Sequence, residues 1–145
     1  GTGFLVPRAA GRPKSREQWS VTACTFLDQK WPHVAREDDV LLRASLGRAG
    51  DERASEWSDT GVTERAWEEL GLLMGVRGTA APKDAIVTRH PASFPQYRVH
   101  HLLRTAAVEA AAARLGGLAV AGAAYRGVGI PACIAGGRAA ARALL

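Results

Sequence analysis

The sequence predicts an α/β chain. Three observations across its 145 residues carry that reading. Two β-branched apolar runs are flanked by polar turns, one amphipathic stretch has helical spacing, and an alanine-rich run leads through a glycine-rich loop into a closing helix. Residues 20–27 form the first apolar run, which ends at Asp28-Gln29-Lys30 and reads as a strand. Residues 39–46 end at Gly47 and read the same way. With the turn-like segment 33–38 between them, the two make a hairpin. Residues 4–7 precede a polar loop, Arg12-Pro13-Lys14-Ser15, and are placed to pair with the strand that follows.

The middle of the chain reads as a helix. Asp59-Thr60 offers caps, and Val62, Ala66, Leu70 and Leu73 recur at three- and four-residue spacing through Met74. Residues 75–82 break it, 84–90 read as another strand, and 91–95 as a loop. Residues 101–115 have high helix propensity and stop at Gly116-Gly117. Residues 118–121 then read as a short buried strand, 122–130 as a glycine-rich loop, and 131–145 as a helix with Pro131 in its first turn.

That last unit is where chemistry is expected. Gly122, Gly127 and Gly129 allow the backbone to approach a ligand closely, and a helix N-terminus presents free N–H donors with a positive dipole end. The spacing suits an anion or a flavin, and it suits a plain strand-to-helix connection equally well.

Composition narrows the class. An apolar content of 47% with 23% charged residues excludes a disordered chain, and the uncharged run 116–125 is about half a membrane span. The chain reads as soluble. It opens without Met on the strand-like Gly3-Phe4-Leu5-Val6, which leads to the expectation of a truncated protein. A net charge of +5 is compatible with nucleic acid, an anionic membrane surface or an acidic ligand. Because the basic residues are dispersed, with no run of three, no phosphate-tracking stripe forms and no nucleic-acid partner is expected. Cys24 and Cys133 lack neighbours at ligand spacing, so no metal site is expected, and two isolated thiols fit a reducing cytoplasm.

Ordered blocks along the chain are more specific. Gly1-Thr2-Gly3-Phe4-Leu5-Val6-Pro7, Thr22-Ala23-Cys24-Thr25, Lys30-Trp31-Pro32-His33, Leu41-Leu42-Arg43-Ala44, Val87-Thr88-Arg89, Pro95-Gln96-Tyr97 and Tyr125-Arg126-Gly127-Val128-Gly129-Ile130-Pro131 follow one another. This order resembles the protoporphyrinogen/coproporphyrinogen oxidase family, in the style of bacterial enzymes of the Gram-positive type. The resemblance implies FAD as cofactor, a porphyrinogen substrate (usually coproporphyrinogen III), an oxygen-dependent oxidation in haem synthesis, and a cytoplasmic location with peripheral membrane contact left open. It further implies that the chain is a C-terminal fragment of an FAD-binding Rossmann-like fold with part of a mixed-sheet substrate domain. Residues 1–99 would belong to the substrate domain and 100–145 to the FAD domain. No G-x-G-x-x-G follows a strand here, so the pyrophosphate cradle would come from a missing N-terminal half, the expected partner of this piece. Val128, Gly129 and Ile130 would meet the flavin ring, supported by Gly122, Tyr125, Gly127 and Pro131.

Three positions depart from the family pattern. His90 stands where the bacterial relatives tend to carry a Trp near the flavin, His100 where a Gly is usual, and Ala132 where an acidic residue is usual. Other residues weigh less. His100 and His101 point apart on a helix and suit a helix start better than a metal, and His33 suits a turn. Trp57 and Trp67 suit a loop and a helix surface, Trp19 and Trp31 stay open as pocket walls, and Arg43 suits a solvent-facing strand position. The cluster Glu64-Arg65 with Glu68-Glu69 reads as a solvated helix face. Two alternatives stand beside the porphyrinogen reading: another flavin amine oxidase or desaturase, and a basic noncatalytic binding module.

Overall fold

The first apolar run becomes the middle of a sheet in the computed structural model, which describes residues 1–8, 18–76 and 81–145. Strands β1 (Gly3–Leu5), β2 (Val21–Phe26) and β3 (Leu42–Leu46) lie in that order and pair antiparallel. Phe4 pairs with Cys24, and Cys24 with Ala44. The expected hairpin and the pairing of the N-terminal run are both present. The mixed sheet is not: among the described residues the sheet is antiparallel, because neighbours in the sheet are neighbours in the chain and simply reverse direction. A short helix, α1 (Leu27–Lys30), and a 3₁₀ turn (Pro32–Val34) fill the hairpin connection.

A bulge sets which side chains face inward. Val21 pairs with Leu46 and Ala23 with Ser45, so Thr22 is an extra residue in β2. Its carbonyl accepts the Val6 N–H at 2.8 Å and its hydroxyl donates to the Ser45 carbonyl at 3.0 Å. The alternation therefore slips by one, and Val21, Cys24 and Phe26 all reach the core. There they meet Val6, Trp19, Leu42, Ala44 and Leu46. The Phe4 and Phe26 rings pack edge to face with centroids 6.2 Å apart. Trp19 is thus a core residue and no pocket wall. Arg43 points to solvent, as its alternate position in β3 dictates.

Helices α2 (Arg53–Glu56) and α3 (Asp59–Met74) complete this unit. Ser58, one residue before the expected caps, accepts the Gly61 N–H at 3.1 Å. At the other end Gly75 takes a φ of 69°, and the Val76 N–H bonds the Gly71 carbonyl at 3.0 Å. Ala66, Leu70, Leu73 and Met74 pack on the sheet.

Glu69 corrects the reading of a solvated acidic face. It is 1% exposed, and its Oε2 accepts the backbone N–H groups of Ser20 and Val21, each at 2.8 Å. The carboxylate thereby caps the start of β2, where no ladder supplies acceptors, while Arg65 approaches its other oxygen at 3.6 Å. The expected strand at 84–90 is also absent. That segment runs without a ladder and is held by Arg89, which donates to the Ala54 carbonyl at 3.1 Å, the Trp57 carbonyl at 2.8 Å and Asp59 at 2.6 Å.

The chain divides into two units, Gly1–Arg89 and His90–Leu145, upstream of the 99/100 division drawn from the sequence. The second unit holds α4 (His101–Leu115) and α5 (Ile130–Leu144). The expected strand at 118–121 is irregular: no described strand lies beside it to supply a ladder. The loop Arg12-Pro13-Lys14-Ser15 and residues 77–80 of the expected break lie outside the described residues.

Glu69→Ala is expected to destabilise the first unit by about 3–5 kcal/mol, because two buried donors lose a charged acceptor. Glu69→Gln keeps one acceptor oxygen and should cost about 1–2 kcal/mol. Urea unfolding followed by tryptophan fluorescence measures both. Equal, small losses would show that the carboxylate does not clamp β2.

Candidate functional site

The glycine-rich loop after α4 has no ladder to satisfy its backbone, and one stripe of α4 does so instead. His101, Thr105 and Glu109 recur every four residues and so share a face. His101 Nε2 lies 2.6 Å from the Tyr125 carbonyl. A carbonyl only accepts, so Nε2 carries the proton and donates. The buried Thr105 hydroxyl donates to the same oxygen at 3.4 Å. One turn further on, Glu109 takes Arg126 in a two-pronged ion pair, Nε to Oε1 at 2.8 Å and a terminal nitrogen to Oε2. The Arg126 hydrogen bond holds the Glu109 carboxyl below its ordinary range, and the Glu109 hydrogen bond raises Arg126.

Tyr97 adds a second layer. Its ring stacks on His101 with centroids 4.1 Å apart and planes at 15°, and its hydroxyl donates to the Ala123 carbonyl. Within the loop the Tyr125 N–H returns to the Gly122 carbonyl at 3.1 Å.

The glycines of the turn have different duties. Gly127 has φ 153°, and a Cβ there would sit 2.7 Å from the Ala132 Cβ, so the fold itself requires glycine. Gly129 has φ −73°, an ordinary value, and a Cβ there would meet only Pro131 Cδ at 3.8 Å. It is the N-cap of α5 and makes no side-chain cap bond. The Cys133 N–H bonds its carbonyl at 2.9 Å, and the Cys133 thiol points at the Gly127 carbonyl at 3.5 Å. Helix α5 opens at Ile130, one residue before the expected Pro131. Val128 and Ile130 are exposed.

Seven of the expected site residues, Gly122, Tyr125, Gly127, Val128, Gly129, Ile130 and Pro131, therefore lie in one continuous turn. His90 does not join them by any hydrogen bond, ion pair or ring contact among the described residues, and its ring is exposed. Sequence reading missed His101, Thr105, Glu109 and Arg126 as determinants of the turn. The signal was present as three polar side chains at four-residue spacing on an otherwise alanine-rich helix. Among the described residues no cluster of His, Cys, Asp and Glu could hold a metal ion, and no helix is long and apolar enough to cross a membrane.

No protein-family model matches the chain. Curated relatives do. Coproporphyrinogen III oxidase of Bacillus subtilis strain 168 is 40% identical over 141 residues, covering 97% of this chain. The Staphylococcus aureus enzyme of the same name is 33% identical over 146 residues. A crystal structure from Exiguobacterium sp. 255-15, provisionally assigned as a protoporphyrinogen oxidase, superposes with a TM-score of 0.78 at 37% identity over 96% of this chain. Over nearly its whole length the chain is similar to a segment of proteins named coproporphyrinogen III oxidase. It spans 28% of the length of the Bacillus relative and 29% of the Exiguobacterium chain.

Two of the positions singled out in the sequence have a local structural description. His100 caps α4 with φ 63°, a left-handed conformation that favours glycine. Ala132 is the third residue of α5, where an acidic side chain could reach back to the N-cap, and α5 has no side-chain cap bond.

His100→Gly is expected to stabilise the second unit by about 1 kcal/mol through relief of backbone strain, and Gly127→Ala to destabilise it by about 1–3 kcal/mol. Thermal unfolding decides both, and an unaffected Gly127→Ala would contradict the packing described. The Glu109–Arg126 pair has a pH signature. A depressed folded pKa means that its contribution is present above the unfolded value, 4.5, and is lost as pH falls through the lower folded value. The pair is exposed, so its effect is small and salt-sensitive. The melting-temperature gap between parent and Glu109→Gln should be constant from pH 7 to about 5 and close below it. A gap that widens on acidification would rule the pair out.

Proposed function

We propose that this chain is, within its full-length protein, the return segment and part of the substrate domain of an FAD-dependent oxidase acting on a porphyrinogen, coproporphyrinogen III, in cytoplasmic haem synthesis. The observation that carries the reading is the turn from Gly127 to Pro131, which follows Tyr125 and Arg126 bonded to α4 and leaves Val128, Gly129 and Ile130 exposed.

The residues present fit a flavin ring. Gly129 has room beside it that a side chain would fill, Val128 and Ile130 offer exposed apolar surface, and the first turn of α5 has no side-chain cap to compete for its N–H groups. FAD, when bound, supplies the hydrogen-accepting chemistry, with oxygen as the final acceptor. The chain's own residues orient and shield. Val128, Gly129 and Ile130 would lie against the ring, Gly122, Tyr125, Gly127 and Pro131 would fix their course, and His90 would stand near the ring in place of an aromatic residue. The N–H groups that open α5, backed by the helix dipole, favour negative charge at the edge they face. The pyrophosphate cradle of a Rossmann-like unit would come from residues upstream, because this chain carries no G-x-G-x-x-G after a strand.

Gly129→Val separates ligand from fold, since the backbone at Gly129 accepts a side chain and the chain around it does not clash. In the full-length protein this substitution is expected to lower flavin occupancy and coproporphyrinogen oxidation at least tenfold, while the melting temperature of the flavin-free protein stays within about 2 °C of the parent. Glu64→Ala on α3 should change neither. Should Gly129→Val bind flavin and turn over like the parent, the flavin does not lie on this turn.

A further inference from the structure

We propose that His101 is a positioning residue for the cofactor-facing turn, acting through the Tyr125 carbonyl; the inference rests on the flavin reading above. The peptide units of the loop show why. The chain has no cis peptide bond, so in each unit the N–H points opposite to the C=O. His101 and Thr105 draw the Tyr125 carbonyl onto α4, and Tyr97 draws the Ala123 carbonyl to the same side. The N–H groups that follow these carbonyls, on Arg126 and Ala124, are thereby turned away from Tyr97 and α4. Neither has an acceptor among the described residues. Two donors, one residue apart, are thus preset on the face of the loop opposite its supports, and they cost nothing further to orient when an acceptor arrives.

His101 is the closer of the two donors to the Tyr125 carbonyl. Its bond to the Tyr125 oxygen is 2.6 Å long, against 3.4 Å for Thr105, and the Tyr97 ring stacked at 4.1 Å fixes the plane in which the imidazole donates. Ala123 and Tyr125 then share one stacked pair, so loss of the His101 donor frees the peptide unit on which the turn from Arg126 to Gly129 is hung. Glu109 holds the Arg126 side chain but does not set its peptide plane.

The test compares two amides at one position in the full-length protein. The amide nitrogen of Gln reaches where Nε2 of His lies, whereas that of Asn reaches only the Nδ1 position. FAD dissociation constants and flavin midpoint potentials are measured for the parent, His101→Gln and His101→Asn. His101→Gln should stay within about twofold of the parent in affinity and keep its potential, and His101→Asn should weaken FAD binding about 5- to 10-fold and shift the potential. Equal behaviour of the two variants, whether both match the parent or both lose flavin, overturns the positioning role. A parent that binds no FAD overturns the flavin reading instead. The pair is then judged on hydrogen exchange of the Tyr125 amide: faster exchange in His101→Asn alone upholds the positioning role, and equal exchange overturns it.

Discussion

Side chains satisfy backbone groups that no ladder holds, and both units depend on this interaction. Buried peptide groups without partners cost about as much as a lost hydrogen bond each, so an irregular segment persists only where something supplies donors or acceptors. In the first unit Glu69 takes the two N–H groups that open β2, and Arg89 takes two carbonyls at the corner between α2 and α3. In the second unit His101, Thr105 and Tyr97 take the carbonyls of the loop. The signs are complementary. Carboxylates answer N–H groups, and the imidazole, hydroxyl and guanidinium donors answer carbonyls.

For the second unit this arrangement separates the cost of shaping the turn from the chemistry it serves. Clasps on one side and a glycine at 127 fix its course, while the other side keeps Val128, Gly129 and Ile130 uncovered. On the flavin reading, a surface prepared in this way would receive a planar group without first ordering itself, which is where affinity is otherwise lost. The same logic explains why the glycines are not interchangeable. Gly127 answers to Ala132 within the protein, and Gly129 answers only to what lies in front of it.

Much of this was legible in the sequence because periodicity reports burial. The hairpin, α3, α4 and the closing helix follow from apolar spacing and from glycine stops, and ordered blocks such as Lys30-Trp31-Pro32-His33 carried the family resemblance that the curated relatives support. The misses have one cause. The apolar content of 84–90 and 118–121 suggested strands, but a strand exists only where a neighbour completes its ladder, and pairing is not a local property. Glu69 looked solvated because its helix face carries other charges, and nothing local to α3 reveals the two N–H groups waiting at Ser20 and Val21. His101 does start α4, as expected, but its bond to Tyr125 was hidden because that partner is distant in sequence, although the repeat of Thr105 and Glu109 on the same face marked a polar stripe with something to hold. His100 was different: the sequence singled the position out, and its left-handed φ is a conformation that favours glycine.

Whether a flavin lies against the Gly127–Pro131 turn is tested most directly by a crystal structure of the full-length protein with FAD. The predicted result is an isoalloxazine ring in van der Waals contact with Gly129, with an N–H from Ile130 or Ala132 about 3 Å from its pyrimidine edge and the Tyr125 carbonyl still bonded to His101. A ring bound elsewhere, with this turn facing solvent, would contradict it.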